Sequence, residues 1–251
     1  MIMNRRYFIV LQFNGKNYQG WQIQPNGPTI QSELNEKLSI LFNEKVETTG
    51  AGRTDSGVHA KYFVAHFDLF QDLTGKTEPI VYKLNCFLPK DIRVISINPM
   101  DSKAHARFDA ISRTYNYFIS TSKNVFKSDF IWQIHYQLDL DIMNTGCGII
   151  KEYLDFTSFS KLDSNAKTNN CNIMSAEWQR QDDILVFSIT ADRFLRNMVR
   201  AIVGTMVALG RYKITIDELR HIIEARDRSK AGESVPASGL FLCDIIYPYS
   251  F

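Results

Sequence analysis

The segment Thr49-Gly-Ala-Gly-Arg-Thr-Asp-Ser-Gly-Val-His-Ala60 joins two stretches with strand patterns, 46–49 and 62–69. In the second stretch every other residue from Phe63 to Leu69 is apolar, which is typical of a strand with one buried face. The three glycines of the joining segment permit a tight loop, because glycine tolerates backbone conformations that other residues avoid. That loop presents two charged side chains, Arg53 and Asp55.

The glycines of this loop fit neither of the common nucleotide-binding motifs. Asp55 stands where a dinucleotide fingerprint needs its third glycine. Val58 stands where a P-loop needs lysine. An aspartate here is explained equally well as an ordinary turn residue or, with Arg53 two positions before it, as part of a loop that enters a nucleic-acid cavity.

Outward from this loop, the first half of the chain has the order strand, helix, strand, strand, helix, strand. Its first helix follows Thr29, a good N-cap residue, because apolar residues recur at helical spacing from Ile30 onward. The predicted elements of this half are strand 6–13, the helix after Thr29, strands 46–49 and 62–69, helix 78–87 and strand 92–97.

The second half repeats this order. Its predicted elements are strand 113–119, a helix from the Asp139 cap to about 153, a hairpin of 172–181 and 184–190, helices 194–209 and 216–225, the latter capped by Thr215, and strand 239–247. Both halves fit the βαββαβ order of ferredoxin-like (RRM-like) domains. We therefore expect an α+β fold in which two halves, residues 1–106 and 107–251, place antiparallel sheets beside a central cleft.

Composition excludes several classes of protein. Of 251 residues, 45% are apolar and 22% charged, which is ordinary for a soluble globular protein, and a net charge of +2 is too small for a nonspecific nucleic-acid coat. The four cysteines and five histidines are scattered without metal-ligand spacing, so we expect no metal. Neither a signal peptide nor a membrane-length apolar run is evident, so we expect a cytoplasmic protein without a membrane segment.

Planar side chains mark two further stretches. Trp21 and Gln22 lie in a segment that mixes rings with amides, a mixture suited to single-stranded RNA. A buried Trp21 under a surface loop explains the same residues. Tyr115 and Tyr117 share one face of a predicted strand, and we expect at least one of them to belong to the core.

Three arginines follow helical spacing near residue 200. Arg193, Arg196 and Arg200 are three and four positions apart, so they lie on nearly the same face of the predicted helix 194–209. Arg193 and Arg196 form either a solvated basic stripe or a phosphate-binding one. Arg200 lies deeper in the apolar run, where an arginine needs an anionic partner, and Asp55 is a candidate.

Taken together, these residues resemble the tRNA pseudouridine synthase A family. The catalytic loop of that family, G-A-G-R-T-D-x-G-V-H-A, matches residues 50–60 throughout, and the other matches keep their order along nearly the whole chain. Two positions depart from the family pattern. Asn14 stands where an aspartate is frequent, and Ser160-Lys161 follow Phe159 where an arginine is common. The other matching segments are 15–24, 29–31, 84–93, 106–115, 155–159, 194–204 and 239–240.

The resemblance implies an isomerase that converts uridine to pseudouridine at positions 38–40 of the tRNA anticodon stem-loop. It implies a homodimer of chains with two ferredoxin-like halves, the first carrying the aspartate loop, and a reaction that needs no cofactor. It also implies roles for four residues. Asp55 is the catalytic carboxylate, Arg53 occupies the space left by the flipped nucleotide, Tyr115 stacks on the uracil, and Arg200 pairs with Asp55.

Affinity for RNA is expected to come mainly from phosphate contacts and RNA shape. The candidate RNA-binding residues are Arg53, Lys61, Arg107, Arg193, Arg196, Trp21, Gln22 and the basic run Arg226, Arg228 and Lys230. A non-catalytic protein with two RRM-like halves is an alternative, although the aromatic RNP pattern is absent. A hydrolase with an aspartate nucleophile would need a second carboxylate or a metal. A pseudouridine synthase for another RNA is the third alternative.

Overall fold

A computed structural model describes residues 4–123, 125–161 and 168–251. Within these residues the chain forms nine β-strands, five α-helices and two short 3-10 helices, Thr157–Phe159 and Ala237–Gly239, so the fold is α+β as predicted. The chain divides into two compact units. One contains the residues up to Ile111 together with Leu242–Phe251, and the other contains Ser112–Phe241.

The first unit has the predicted element order, strand, helix, strand, strand, helix, strand. The strand order is β4-β1-β3, and β9 continues it beyond β3. β1 is antiparallel to both of its neighbours, and β2 pairs with β3. The elements are β1 (Arg5–Phe13), α1 (Ile30–Phe42), β2 (Thr49–Gly50), β3 (His59–Leu69), α2 (Thr77–Phe87), β4 (Ile92–Met100) and, from Leu242 onward, β9 (Leu240–Ile246).

The central strand β1 is buried on both faces, which explains its unbroken apolar run. Tyr7 points to one face, where its ring stacks on Phe67, and Phe67 in turn packs on Phe42 at the end of α1. Phe8 points to the other face and packs on rings of the C-terminal segment, including Tyr247 and Phe251. Because neighbouring residues of a strand face opposite ways, covering both faces buries every residue from Tyr7 to Leu11.

The second unit is built on an antiparallel sheet with the order β5-β8-β7. β6, a short strand that the sequence did not predict, pairs parallel with β5. The predicted hairpin between β7 and β8 is confirmed, and Asp182 adopts a positive φ of 54° at its turn. The elements are β5 (Ser112–Ser120), β6 (Trp132–Gln133), α3 (Leu140–Ile150), β7 (Ile173–Gln181), β8 (Ile184–Ala191), α4 (Met198–Gly210) and α5 (Ile216–Glu224).

Helix starts follow the local capping chemistry. The Thr29, Asp139 and Thr215 side chains each accept a hydrogen bond from a backbone N–H in the first turn of α1, α3 and α5, as predicted. The predicted start of the helix at 194 is wrong. α4 begins at Met198, because Asn197 adopts a left-handed conformation with φ 67° that cannot continue a helix backward.

Candidate active site

The loop between β2 and β3 ends in a tight turn that carries Asp55. The N–H of Val58 donates to the Asp55 carbonyl at 3.2 Å, and Gly57 between them has a φ of 79°. A positive φ at the third position of a four-residue turn is what a type II turn requires, so glycine suits this position. Arg53 is exposed and Asp55 is half-buried, while Val58, His59 and Ala60 return the chain to the core.

Trp21 lies under this loop, in the core of the first unit. Its ring stacks on Phe63 with centroids 4.2 Å apart, and only 2% of its surface is exposed. This packing leaves no room for a side chain at Gly50, because a Cβ there would lie 2.6 Å from the tryptophan ring. A ring packed in this way has no face for an RNA base, so we replace the expected stacking role of Trp21 with a structural one. The neighbouring Gln22 is exposed.

Tyr115 and Tyr117 of β5 have different surroundings. Tyr117 is fully buried, and its hydroxyl donates to the Pro236 carbonyl at 2.8 Å. Burial raises the pKa of this hydroxyl far above its ordinary value. Tyr117 is therefore the expected core member of the pair. Tyr115 is half-buried, and its ring meets that of Phe194 edge to face at 5.1 Å.

Arg200 lies in the first turn of α4 and is half-buried. Its Nε donates to the Val235 carbonyl at 2.7 Å, and the Val235 N–H donates back to the Arg200 carbonyl at 3.4 Å. The Nε bond uses one of the five guanidinium N–H donors and fixes the plane of the group. The segment around Val235 therefore orients Arg200 within the second unit.

Arg193 and Arg196 do not share the helix face that the sequence predicted. Both precede Met198, in the irregular segment between β8 and α4. The Arg193 guanidinium donates to the Thr168 carbonyl at 3.2 Å, and the Arg196 carbonyl accepts from the Lys161 N–H at 3.0 Å. The two arginines thus tie this segment to neighbouring loops, and the Arg196 side chain is exposed.

Comparison with known proteins identifies the family. The tRNA pseudouridine synthase A of Parabacteroides distasonis is 54% identical over 97% of this chain and 96% of its own. The protein of the same name from Azobacteroides pseudotrichonymphae is 50% identical over 97% of each chain. The one from Francisella tularensis subsp. novicida is 34% identical over 98% of this chain and 96% of its own. A family model described as tRNA pseudouridine synthase matches residues 153–248.

The chain belongs to the tRNA pseudouridine synthase A family. Pseudouridine synthases are isomerases, so the expectation of an isomerase, which rested on the resemblance along nearly the whole chain, is confirmed. The residues at both departures from the family pattern, Asn14 and Ser160-Lys161, form hydrogen bonds in the structure. Asn14 caps the next turn, since its side-chain oxygen accepts from the Lys16 N–H at 3.0 Å. Lys161 contributes its backbone N–H to the Arg196 carbonyl.

The remaining basic candidates of this synthase fall into two groups. Lys61 and Arg107 are exposed. Arg226 pairs with Asp155 at 3.0 Å. Arg228 is held inside its own loop, where it donates to the carbonyls of residues 231 and 232 and to the Ser234 hydroxyl. Arg228 therefore has a structural role that its position in a basic run did not predict.

Sequence reasoning missed one exposed aromatic residue beside these candidates. Phe108 is 75% exposed, and the Arg107 guanidinium lies 5.8 Å from the centre of its ring. The His105 ring also packs on Phe108, with ring centres 4.2 Å apart. A planar ring next to an arginine is a suitable surface for a base and a phosphate. The adjacent letters Arg107-Phe108 were the available signal.

Two wider features concern the described residues only. Across 4–123, 125–161 and 168–251, no three His, Cys, Asp or Glu side chains come together as a metal-binding group. In the same ranges, no helix combines the length and the apolar character needed to cross a membrane.

Proposed function

We propose that this synthase converts uridine to pseudouridine at positions 38–40 of the tRNA anticodon stem-loop, with Asp55 as its catalytic carboxylate. The observation that carries the proposal is the half-buried Asp55 at a glycine-shaped turn, inside a segment that matches the catalytic loop of the family. The names of the related proteins support tRNA as the substrate. The protein acts in the cytoplasm, where its tRNA substrate is found.

The reaction is an isomerisation that balances without any added group. The bond between uracil N1 and ribose C1′ breaks, the base turns, and uracil C5 bonds to C1′. C5 then loses its proton and N1 gains one, so no electrons are exchanged with a cofactor. The Asp55 carboxylate attacks the substrate or stabilises the cleaved sugar, and Tyr115 stacks on the uracil and assists removal of the C5 proton.

Access to the base requires that the nucleotide leave the RNA stack. Unstacking costs a few kcal/mol and is easiest in loops and weak pairs, which suits an anticodon stem-loop. Arg53, exposed on the loop that carries Asp55, occupies the space left by the flipped nucleotide. Arg200 pairs with Asp55, and its positive charge offsets the negative charge of the carboxylate when the bound base excludes water. The hydrogen bond from Arg200 Nε to the Val235 carbonyl supports this role, because it fixes the guanidinium plane and a fixed plane suits a carboxylate partner.

We further propose that the chain consists of two ferredoxin-like halves, residues 1–106 and 107–251, and works as a homodimer. The antiparallel order β4-β1-β3 in the first unit and β5-β8-β7 in the second supports this description. Each half supplies part of the chemistry in this scheme. The first half carries Asp55 and Arg53, and the second carries Tyr115 and Arg200.

Phosphate contacts supply most of the affinity for tRNA in this proposal. The exposed side chains of Lys61, Arg107 and Arg196 are the main candidates, and Arg193 and Gln22 are further candidates. Each phosphate contact releases counterions, so the affinity for tRNA decreases steeply as salt increases. An association that does not respond to salt would contradict this assignment.

The test is release of tritium from tRNA labelled at uridine C5, with wild type compared with Asp55→Ala. Wild type is expected to release tritium, and the variant to be slower by more than about a thousandfold, as when an enzyme loses its reacting group. Filter binding of labelled tRNA shows whether the variant keeps its substrate affinity. If both proteins bind tRNA and neither releases tritium, a binding module with two RRM-like halves replaces this proposal.

A further inference from the structure

Residues 15–21, which we call the support segment, run directly against the backbone of the Asp55 loop. At Gly20 an added Cβ would lie 2.2 Å from the Thr54 carbonyl oxygen and 3.1 Å from the Asp55 carbonyl carbon. At Gly15 it would lie 1.9 Å from the Val58 carbonyl oxygen. Real Cβ atoms do not approach other atoms this closely. The loop backbone therefore occupies the space that any side chain at these two positions would need.

Hydrogen bonds join the support segment to the turn itself. The Gly57 N–H donates to the Tyr18 carbonyl at 3.2 Å. The Ser56 hydroxyl lies 3.2 Å from the same carbonyl and 2.9 Å from Oε1 of Gln19, and its single proton serves one of these acceptors at a time. The two residues that directly follow Asp55 are thus both bonded to the support segment.

The far end of the Asp55 loop is held in the same way. The Gly15 N–H donates to Nδ1 of His59 at 3.1 Å, and His59 is buried at the start of β3. An imidazole nitrogen that accepts a hydrogen bond carries no proton, so this contact requires Nδ1 to be unprotonated. The loop is therefore bonded at Ser56 and Gly57, beside its carboxylate, and at His59, where it becomes a strand.

The support segment is itself fixed to the core of the first unit. The carbonyls of Gly20 and Trp21 accept from the N–H groups of Ile30 and Gln31 in the first turn of α1, at 3.2 and 3.0 Å. Tyr18 and Trp21 are 6% and 2% exposed. The first N–H groups of a helix have no partner within the helix, so this arrangement satisfies two of them. A displacement of the support segment would disturb both the helix start and the core.

We propose that Gly20 is a positioning residue for Asp55. Because Gly20 has no Cβ, the support segment can pack directly against the Thr54–Asp55 peptide and fix its position. The inference rests on the proposed function of Asp55. Gly20 also has a φ of 83°, which side-chain-bearing residues rarely adopt, so two independent features require glycine here. A reacting group displaced by about 1 Å loses on the order of 100-fold in rate. The effect of a side chain at Gly20 is expected in catalysis and not in the affinity for tRNA.

The experiment measures single-turnover tritium release with enzyme in saturating excess over C5-labelled tRNA. Gly20→Ala is expected to lower this rate on the order of 100-fold while its Kd for tRNA stays within about threefold of wild type. The matched control is Gly148→Ala in α3, where an added Cβ would meet no atom within 4 Å. This control should keep the wild-type rate. A wild-type rate for Gly20→Ala, or a loss that equals its unfolded fraction, overturns the proposal.

A second pair of variants decides the matter if Gly20→Ala does not fold. Ser56→Ala removes the hydroxyl that reaches Tyr18 and Gln19, and should lower the single-turnover rate about 2- to 10-fold, the range for one hydrogen bond. Ser56→Thr keeps the hydroxyl and should restore the rate. Equal rates for Ser56→Ala and wild type would show that the support segment does not position the turn.

Asp55→Ala in the same assay separates this proposal from the function on which it rests. If Asp55→Ala keeps its activity, the proposed role of the carboxylate fails and Gly20 has nothing to position. If Asp55→Ala is inactive and both Gly20→Ala and Ser56→Ala react at the wild-type rate, only the positioning role fails.

Discussion

The two units hold their proposed catalytic side chains in different ways. The first unit carries Asp55 on a loop, and the second carries Tyr115 and Arg200 on a strand and a helix. Asp55 lies on irregular backbone, shaped by Gly57 and by the support segment at residues 15–21. Tyr115 lies in β5 and Arg200 in the first turn of α4, so regular backbone hydrogen bonds place them. The first arrangement depends on glycines, and the second depends on the backbone of a strand and of a helix.

This difference predicts how each region fails. In the second unit, the Arg200 Nε donates to the Val235 carbonyl, and the Phe194 ring meets the Tyr115 ring edge to face. Replacing the Tyr115 or Arg200 side chain should remove the proposed catalytic role of that side chain and leave the backbone in place. In the Asp55 loop, by contrast, a single added methyl group meets the backbone. Substitutions that leave the fold intact are therefore the sharpest tests in the second unit.

The largest effect expected in the second unit is that of Arg200→Met. Because Arg200 is proposed to pair with the Asp55 carboxylate, losing its guanidinium should lower single-turnover tritium release about 10- to 100-fold, since hydrogen bonds to charged groups contribute about 1.5–3 kcal/mol. The single-turnover rate at neutral pH measures this effect.

Arg220→Met is the matched control for this substitution. Arg220 bonds Glu152 at 2.6 Å on the surface of the second unit, and exposed ion pairs of this kind contribute little to stability. The control should keep the wild-type rate. A wild-type rate for Arg200→Met as well would show that Arg200 does not act on the carboxylate.

The same contrast explains which parts of the fold were predictable from sequence. The caps at Thr29, Asp139 and Thr215 were predicted because capping is local, involving atoms within three residues. The start of α4 was not. Leu195 and Met198 are both buried, so the apolar pattern runs on through Asn197, whereas the helix begins only at Met198. Apolar periodicity indicates which residues are buried, and it does not reveal a residue with a left-handed backbone conformation inside a buried run.

The candidate site shows the same limit. The motif indicated Asp55 directly, but the contacts that hold its turn come from residues about 35 positions earlier, such as Gly20 against Thr54. No local pattern of a single sequence reports such long-range contacts. Trp21 was misinterpreted for this reason. Its neighbours resemble an RNA-binding surface in composition, whereas packing against Phe63 makes it a core residue.

A smaller effect is expected at Tyr115, and its neighbour on the same face provides the contrast. Tyr115→Ala should lower single-turnover tritium release roughly 5- to 100-fold, because stacking of a base on an aromatic ring contributes about 1–3 kcal/mol, a range that begins below the 1.5–3 kcal/mol expected for Arg200. Its unfolding midpoint in urea should change little, since the ring is only half-buried. Tyr115→Phe keeps the ring and tests the hydroxyl separately. An Ala variant as fast as wild type would remove Tyr115 from the reaction.

Tyr117→Phe should show the opposite result. It removes the bond from the buried hydroxyl to the Pro236 carbonyl and leaves that acceptor without this donor, which costs about 1–3 kcal/mol of unfolding free energy. The rate per folded molecule should change less than about threefold. If Tyr117→Phe loses catalysis and keeps its stability, the division between a working and a structural tyrosine on β5 is wrong.

The units also differ in their histidines, which leads to the smallest effect. His59, His66 and His105 of the first unit are buried or half-buried, whereas His135 and His221 of the second are exposed. Burial, with Arg6 and His105 nearby, lowers the pKa of His66 from 6.5 to about 4, and the carboxylates of Asp68 and Asp109 only partly oppose this. Nδ1 of His66 accepts from the Ala106 N–H at 3.1 Å, which requires the neutral form.

The sign of the pH effect follows from that depressed pKa. As pH falls below about 6.5, His66 takes up a proton in the unfolded chain but stays neutral in the folded one, so unfolding free energy is lost until about pH 4. His66→Asn keeps a side-chain acceptor for the Ala106 N–H and removes the titration. Its urea stability should therefore depend less on pH than that of wild type between pH 7 and 4.5. His221→Asn, at an exposed site, should follow wild type. Parallel curves for wild type and His66→Asn would mean that the acid sensitivity of the first unit lies elsewhere.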